Sequence, residues 1–177
     1  MGLKNPFYKV CIVGDSAVGK TTMLYRYLER RFNPEVQSTI GSNFFVKYLK
    51  IPNAKSMVIL RIWDLAGQAH FEWVRRAFYK GAKGIIYVFD LSRRVTFENI
   101  NTWKEEVEDT IGNCPHVLVG NKLDLVDPEK RLISLEESNQ VKQNLNALQY
   151  FEMSAKLGTG VDKIFNKLAI EMYKSYH

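Results

Sequence analysis

The chain has 177 residues, a length that suits one domain, so we expect residues 1–177 to form a single domain. Its 46% hydrophobic and 25% charged residues are globular proportions, which exclude extensive disorder, and two cysteines are too few for a disulfide scaffold. The 25 Lys and Arg residues exceed the 19 Asp and Glu residues by six, but they are scattered among acidic residues. We therefore expect a surface of mixed charge and no nucleic-acid partner. We find no apolar run long enough for a transmembrane segment.

Strand-like and helix-like segments alternate along the chain. Short apolar runs rich in β-branched residues predict strands, and apolar residues at steps of three or four predict helices. In chain order, the first half is predicted to contain a strand over Phe7–Val13, a helix over 20–31, strands over 43–51 and 57–63 around a turn at Pro52-Asn53, and a strand over 84–89. The second half is predicted to contain a helix over 96–111, a strand over 117–119, a helix that begins at Ser134, a strand over 150–153 and a helix over Val161–Tyr176. Glu137 is the predicted capping-box partner of Ser134.

This alternation predicts an α/β fold. Six strands, mainly parallel with one antiparallel edge strand, would form a sheet with helices on both faces. Ligands of such sheets bind beyond the C-terminal ends of the strands, and each motif described below falls at such an end.

The first motif follows the first predicted strand. Residues 14–21, GDSAVGKT, fit G-x-x-x-x-G-K-[ST] between a strand and a helix, which is the P-loop context, although a glycine turn can match by chance. Glycines allow backbone N–H groups to approach phosphates, and the helix start adds positive charge. We therefore predict a P-loop NTPase in which Lys20 contacts the outer phosphates and Thr21 binds Mg²⁺. The residues expected to hold nucleotide here are Asp15, Ser16, Ala17, Val18, Gly19, Lys20, Thr21 and Thr22.

Two further motifs follow later strands. Asp64 and Gly67 form D-x-x-G, where the carboxylate can hold Mg²⁺ through water and the glycine lets the backbone approach a terminal phosphate. Asn121, Lys122 and Asp124 form N-K-x-D. A carboxylate matches the paired N1–H and N2–H₂ donors of guanine, whereas adenine would leave it unpaired, so this motif predicts guanine.

With these motifs in this order, the chain resembles the small GTPases of the Ras superfamily from Phe7 to Tyr176, and it is most similar to the Rab family. The resemblance rests on four segments: 38–44 (STIGSNF), 63–68 (WDLAGQ), 78–82 (FYKGA) and 151–156 (FEMSAK). It implies a protein that binds GTP and GDP with Mg²⁺, hydrolyses GTP slowly and acts as a switch in membrane trafficking or signalling.

The resemblance also implies residue roles. Thr39 would join Thr21 and the water-bridged Asp64 at Mg²⁺ when the γ-phosphate is present, and Gln68 would orient the attacking water. The implied catalytic residues are Gln68, Lys20 and Thr39. The remaining implied nucleotide contacts are made by Phe32, which packs on guanine, and by Gly67, Ser154, Ala155 and Lys156.

An aromatic triad and further partners are implied in the same way. Phe44, Trp63 and Phe78 match the patch that Rab proteins show to effectors, and an exchange factor and a GTPase-activating protein are expected. As bare aromatic residues, these three would more often belong to a core. We expect a monomer.

The chain departs from the Rab pattern at several positions. Ala69-His70 replaces a Glu-Arg pair, Val36 stands where many relatives have Tyr, and Lys174-Ser175-Tyr176-His177 carries no cysteine for prenylation. We expect a cytoplasmic protein, with peripheral membrane association if the full-length chain carries a lipidated C-terminus.

Two alternatives to a GTPase switch remain at this level. The first is a GTP-binding interaction module with negligible hydrolysis, which the changes at Val36 and Ala69-His70 motivate. The second is a P-loop kinase. It is disfavoured because no segment has the character of an arginine-bearing lid and because N-K-x-D selects guanine.

Overall fold

A computed structural model of the protein describes residues 5–52, 54–55 and 57–176. Six strands in these ranges form one sheet, and their bounds are β1 Phe7–Val13, β2 Ser42–Leu49, β3 Val58–Leu65, β4 Gly84–Asp90, β5 His116–Asn121 and β6 Tyr150–Glu152. Their order is β2-β3-β1-β4-β5-β6, and only β2 runs antiparallel to its neighbour, β3. The predicted mainly parallel sheet with one antiparallel edge strand is confirmed. Of the predicted turn at Pro52-Asn53, Asn53 lies outside the described residues.

Helices lie between successive strands other than β2 and β3, and one follows β6. Their bounds are α1 Lys20–Glu29, α2 Glu72–Tyr79, α3 Arg94–Glu98, α4 Ile100–Ile111, α5 Leu135–Asn144 and α6 Val161–Tyr176, with short 3₁₀ turns at Ala69–Phe71 and Leu123–Leu125. The predicted capping box of Ser134 and Glu137 opens α5. In the described part of the chain, we find no helix that combines the length and the apolar character needed to cross a bilayer.

Two helix predictions need correction, and a third helix lies where none was predicted. Helix α1 ends at Glu29 and not at 31, because Arg30 turns into the left-handed region at φ 60°. The single helix predicted over 96–111 is two helices, α3 and α4, which meet at Asn99. Helix α2 was not predicted at all, since its buried residues, Arg75 and Tyr79, do not form an apolar stripe.

The two faces of the sheet carry separate apolar cores. Alternate side chains of β1 point to opposite faces, as in any pleated strand. Val10 and Ile12 pack into the core that includes α1 and α6, whereas Cys11 and Val13 pack into the core that includes α3 and α4. The predicted helices on both faces are therefore present.

The two cysteines, Cys11 and Cys114, are free thiols. Burial raises the pKa of Cys11 to about 12 and that of Cys114 to about 11. Burial therefore favours the protonated form of both thiols at neutral pH.

Candidate functional site

A cleft of about 410 Å³ lies at the C-terminal edge of the sheet. The loops that follow β1, β3, β5 and β6 and the segment that precedes β2 form its walls. Its lining residues are Ser16, Ala17, Gly19, Lys20, Thr21, Thr22, Phe32, Val36, Gln37, Ser38, Thr39, Gly67, Gln68, Asn121, Lys122, Asp124, Leu125, Ala155 and Lys156. The cleft thus brings together most of the residues that the sequence motifs single out.

The loop after β1 takes a conformation that requires glycine at Gly19. Its φ is 95°, in the left-handed region, and an added Cβ would lie 2.3 Å from Nδ2 of Asn121. Gly19 is also the N-cap of α1 and offers no side-chain acceptor to the helix start. The first N–H groups of α1 remain available for an anionic ligand, which is the arrangement that favours phosphate.

Lys20 lies buried inside this loop. Its Nζ donates to the carbonyl oxygens of Gly14 and Asp15 across 2.7 and 2.8 Å. Burial lowers the pKa of Lys20 to about 8, although the nearby carboxylates of Asp64 and Asp15 oppose that shift. The loop therefore holds a cation at its centre whose charge suits a phosphate.

Three side chains donate to one carboxylate oxygen at the end of β3. Oδ2 of Asp64 accepts from Thr21 at 2.5 Å, from Thr39 at 3.3 Å and from Asn43 at 3.3 Å. The two threonine hydroxyls are themselves 2.9 Å apart, and Oδ1 of Asp64 is buried without a hydrogen-bond partner in the described part of the chain.

This cluster fits the predicted Mg²⁺ site. Hydroxyl and carboxylate oxygens are the ligands that Mg²⁺ prefers, usually with several waters retained. The cluster contains Thr21, Thr39 and Asp64, the three residues assigned to the metal from the sequence. Burial raises the pKa of Asp64 from its ordinary value, against the lowering effect of the Thr21 hydrogen bond. A cation would oppose that rise.

The residues after β3 lie directly against the P-loop. A Cβ on Gly67 would come within 2.5 Å of the backbone of Asp15 and Ser16, so only glycine permits this approach. Gln68 lines the cleft, and its Oε1 is buried and, among the described residues, makes no hydrogen bond. A side-chain oxygen in that position has its acceptor capacity free for a ligand or a water.

The opposite end of the cleft is built around Asn121. This buried side chain donates from Nδ2 to the carbonyl oxygen of Val18 across 2.9 Å and accepts at Oδ1 from the N–H of Ala155 across 3.2 Å. Oδ1 of Asp124 accepts from the hydroxyl of Ser154 at 2.5 Å. The N-K-x-D loop, the P-loop and the loop after β6 are thereby joined at one point.

Lys122 takes a left-handed backbone conformation, with φ at 65°. Its ammonium lies 2.8 Å from Oδ2 of the fully buried Asp90, whose Oδ1 accepts from the N–H and the hydroxyl of Ser92. Asp90 therefore fixes the direction of the Lys122 side chain along the cleft wall.

Three residues predicted to bind nucleotide do not line the cleft. Val18 and Ser154 act behind it through the contacts just described, and the Asp15 side chain accepts from Nδ2 of Asn99 and Nε1 of Trp103, each across 2.7 Å. The structure also adds residues to which sequence analysis assigned no role, namely Asn43, Gln37, Ser38, Leu125 and Asp90. Ser38 and Asn43 fall within the 38–44 segment that carries the resemblance, and the other three lie in loops or at a strand end outside the quoted motifs.

The predicted aromatic triad forms a contiguous row of rings. The ring centroids of Phe44 and Trp63 lie 4.8 Å apart, and those of Trp63 and Phe78 lie 5.1 Å apart. Phe44 is 48% exposed, whereas Trp63 and Phe78 are half-buried against the core beneath α4. The triad is therefore part core and part surface.

Comparisons with known proteins agree with this geometry. The Ras family profile matches residues 9–174. The chain is 37% identical over 172 residues to Ras-related protein RABG3f of Arabidopsis thaliana, covering 94% of this chain and 82% of the relative. It is 36% identical to Ras-related protein Rab-1 of Theileria parva, covering 92% and 72%, and 36% identical to Ras-related protein Rab-13 of Mesocricetus auratus, covering 92% and 78%.

Proposed function

The chain belongs to the Ras family of small GTPases, whose members hydrolyse GTP, and we propose that it is a Rab-like molecular switch controlled by guanine nucleotide and Mg²⁺. One observation carries the proposal: a single cleft has the P-loop and the Asp64 cluster at one end and the Asn121–Asp124 loop at the other. This spacing of a phosphate end and a base end is what a nucleotide requires.

Selection of guanine is assigned to Asp124. Its carboxylate is oriented by the hydroxyl of Ser154, which also accepts from the N–H of Leu157. An oriented acceptor pair suits the two adjacent donors of guanine and leaves adenine without a match. Ala155 and Lys156 line the same cleft, as does Phe32, which is 37% exposed and would pack its ring against the base.

Hydrolysis is assigned to the phosphate end. Lys20 would place its charge against the outer phosphates, and Thr21, Thr39 and Asp64 would hold Mg²⁺, Asp64 through water. When bound, Mg²⁺ neutralises developing negative charge on the phosphates. Gln68 would orient the attacking water with its unpartnered Oε1. Since no arginine among the lining residues faces the phosphates, intrinsic turnover should be slow, on the order of 10⁻⁴ to 10⁻³ s⁻¹.

The switch itself is assigned to the segments that carry Thr39 and Gly67. Both would be held against the γ-phosphate end in the GTP state and released after hydrolysis. The adjoining row of Phe44, Trp63 and Phe78 would then offer effectors a surface that depends on the nucleotide. An exchange factor and a GTPase-activating protein complete this cycle, and membrane trafficking is the process that the Rab likeness favours.

The first test identifies the nucleotide that co-purifies with the protein. Heat denaturation followed by ion-exchange chromatography should release about one GDP per chain. Mostly GTP would contradict hydrolysis and favour an interaction module, and adenine nucleotide would contradict the role of Asp124. If the protein is empty, titration with GTP and ATP decides the base.

A matched pair of variants tests Asp124 directly. Asp124→Asn should remove the preference for GTP over ATP, because an amide donor would face the guanine donors. Asp127→Asn is the control, since Asp127 lies three residues away on the exposed side of the same loop. An unchanged preference in Asp124→Asn would refute the assignment.

A further inference from the structure

Arg75 is a buried arginine that none of the sequence motifs includes. It lies in α2 with 3% of its side chain exposed. Its Nε and Nη2 donate to the two carboxylate oxygens of Glu106 in α4, across 2.8 and 2.7 Å. Its Nη1 donates to the carbonyl oxygens of Gln68 and Ala66, across 2.7 and 3.0 Å. One guanidinium therefore ties α4 to the backbone on both sides of Gly67.

The same guanidinium is connected to the P-loop. It lies over the ring of Trp103, 4.4 Å from the centroid, and the indole N–H of Trp103 donates to Oδ1 of Asp15 across 2.7 Å. The hydroxyl of Tyr79 donates to Oε1 of Glu106 across 2.5 Å, which adds a second fixed donor to that carboxylate. Arg75 thus contacts two residues of α4, Glu106 and Trp103, which lie outside the loop after β3.

We propose that Arg75 is a positioning residue for GTP hydrolysis, which holds the backbone of Gln68 so that its side chain is directed into the cleft. Gln68 lines the cleft, and its Oε1 makes no hydrogen bond to the described residues. The hydrogen bonds that hold Gln68 are therefore made at its backbone, where the carbonyl oxygen accepts from Arg75 across 2.7 Å and from the N–H of Phe71 across 3.1 Å. The inference rests on the proposed role of Gln68 in orienting water.

The planar fork of arginine suits this task. Two nitrogens engage the carboxylate of Glu106 while the third reaches the two carbonyls, a span that a lysine ammonium cannot cover. A buried ion pair by itself adds little net stability compared with apolar packing. The third nitrogen gives the pair a function in addition to packing, because it acts on the segment that carries Gln68.

The test compares variants on the same helix turn. Arg75→Ala and Arg75→Lys remove the bridge to the carbonyls. Arg76→Ala is the matched control, because the half-exposed Arg76 bonds to Glu72 and to Thr110 of α4, whereas the carbonyls of Ala66 and Gln68 accept from Arg75. Single-turnover GTP hydrolysis should slow by about tenfold or more in both Arg75 variants, while GDP affinity stays within about threefold. Arg76→Ala should hydrolyse GTP at the unaltered rate.

A second readout does not depend on hydrolysis. Amide hydrogen exchange over residues 64–71 of the GDP-bound protein should become faster in the Arg75 variants and stay unchanged in Arg76→Ala. If Arg75→Ala does not fold because Glu106 is left unpaired, the neutral double variant Arg75→Gln/Glu106→Gln replaces it. This double variant has the same expected results, since the shorter amide does not reach the carbonyls.

A double variant that combines Arg75→Ala with Gln68→Leu distinguishes an effect of Arg75 through Gln68 from a general loss of GTP hydrolysis. If Arg75 acts through Gln68, Arg75→Ala should add no further slowing in the Gln68→Leu background. Slowing of the same size in both backgrounds, or a folded Arg75→Ala with an unaltered rate, would overturn the proposal. Unaltered hydrolysis in Gln68→Leu alone would instead refute the role of Gln68, and the exchange measurement would still report whether Arg75 holds the segment.

Discussion

The side-chain amide of Asn121 donates to the carbonyl oxygen of Val18 across 2.9 Å, although 103 residues separate them in the chain. The same amide accepts from the N–H of Ala155, so one buried side chain joins three loops. The same side chain therefore holds the loops at the base end and at the phosphate end of the cleft. A substitution at Asn121 should affect the structure of both ends.

Asn121→Ala should weaken nucleotide binding as a whole and not base selection alone. The carbonyl of Val18 and the N–H of Ala155 would lose their partner in a buried place, at about 1–3 kcal/mol each. We expect GDP affinity, measured with a fluorescent analogue, to fall about tenfold to a hundredfold. Asn139→Ala is the control, because the side-chain amide of Asn139 donates a comparable hydrogen bond to the carbonyl oxygen of Leu135 on the exposed side of α5. Equal affinities in the two variants would contradict the prediction.

Asp64→Asn should reduce the effect of Mg²⁺ on nucleotide release. Asp64 supplies the only carboxylate of the described residues that bonds to Thr21 and Thr39. Removal of Mg²⁺ with EDTA should accelerate GDP release from the unaltered protein, and the Mg²⁺ concentration needed to slow release should rise about 10- to 100-fold in the variant. Asp162→Asn, which removes an exposed surface acid paired with Arg30, should leave that concentration unchanged.

Gly67→Ala should lower the free energy of unfolding because the added Cβ would clash with neighbouring backbone atoms, and not because Gly67 has a backbone conformation that alanine avoids. An added Cβ would meet backbone atoms of Asp15 and Ser16 at 2.5 Å, and backbone cannot yield as a side chain does. We expect a loss of about 1–3 kcal/mol in the free energy of unfolding, measured by urea denaturation. Gly41→Ala separates the causes, because Gly41 has open space around it and only its φ of 74° resists substitution. A smaller loss in Gly67→Ala than in Gly41→Ala would refute the contact argument.

Glu137 should make stability depend on acid pH. Its hydrogen bond to Arg94, followed by those within the Ser134 capping box, lowers the pKa of Glu137 to about 2. A carboxyl with a lowered folded pKa contributes stability that is complete above its ordinary pKa and is lost as pH falls toward 2.

The urea midpoint of the unaltered protein should therefore fall more between pH 6 and pH 3 than that of Glu137→Gln. Glu136→Gln, on an exposed neighbour in the same helical turn, should retain the full fall. Parallel pH profiles for all three proteins would show that the capping box has no such effect.

Much of the fold could be predicted from apolar periodicity. Strand β1 and helix α6 have the predicted bounds, because each has an uninterrupted pattern. Helix α2 was missed because its inward face is formed by Arg75 and Tyr79, and a charged residue is ordinarily assigned to the surface. Only the position of Glu106, which is distant in sequence, makes that arginine an inward residue.

The site was predictable to the extent that it consists of contiguous motifs. The sequence predicted Thr21, Asp64 and Asn121 from their spacing. In the structure Thr21 and Asn121 line one cleft, and the buried Asp64 accepts a hydrogen bond from Thr21. Sequence analysis assigned no role to Asn43 or Asp90, because Asn43, near the start of β2, and Asp90, at the end of β4, reach the site through tertiary packing. These positions acquire their roles only after the sheet has assembled.

The state of the two thiols has a practical consequence. Since Cys11 is buried and burial raises the pKa of both cysteines to about 12 and 11, neither supplies much thiolate at neutral pH. A cysteine introduced on an exposed switch residue, such as Ile40, would then be the main target of a maleimide dye. The unmodified chain can thus serve as a background for fluorescent reporters of nucleotide exchange.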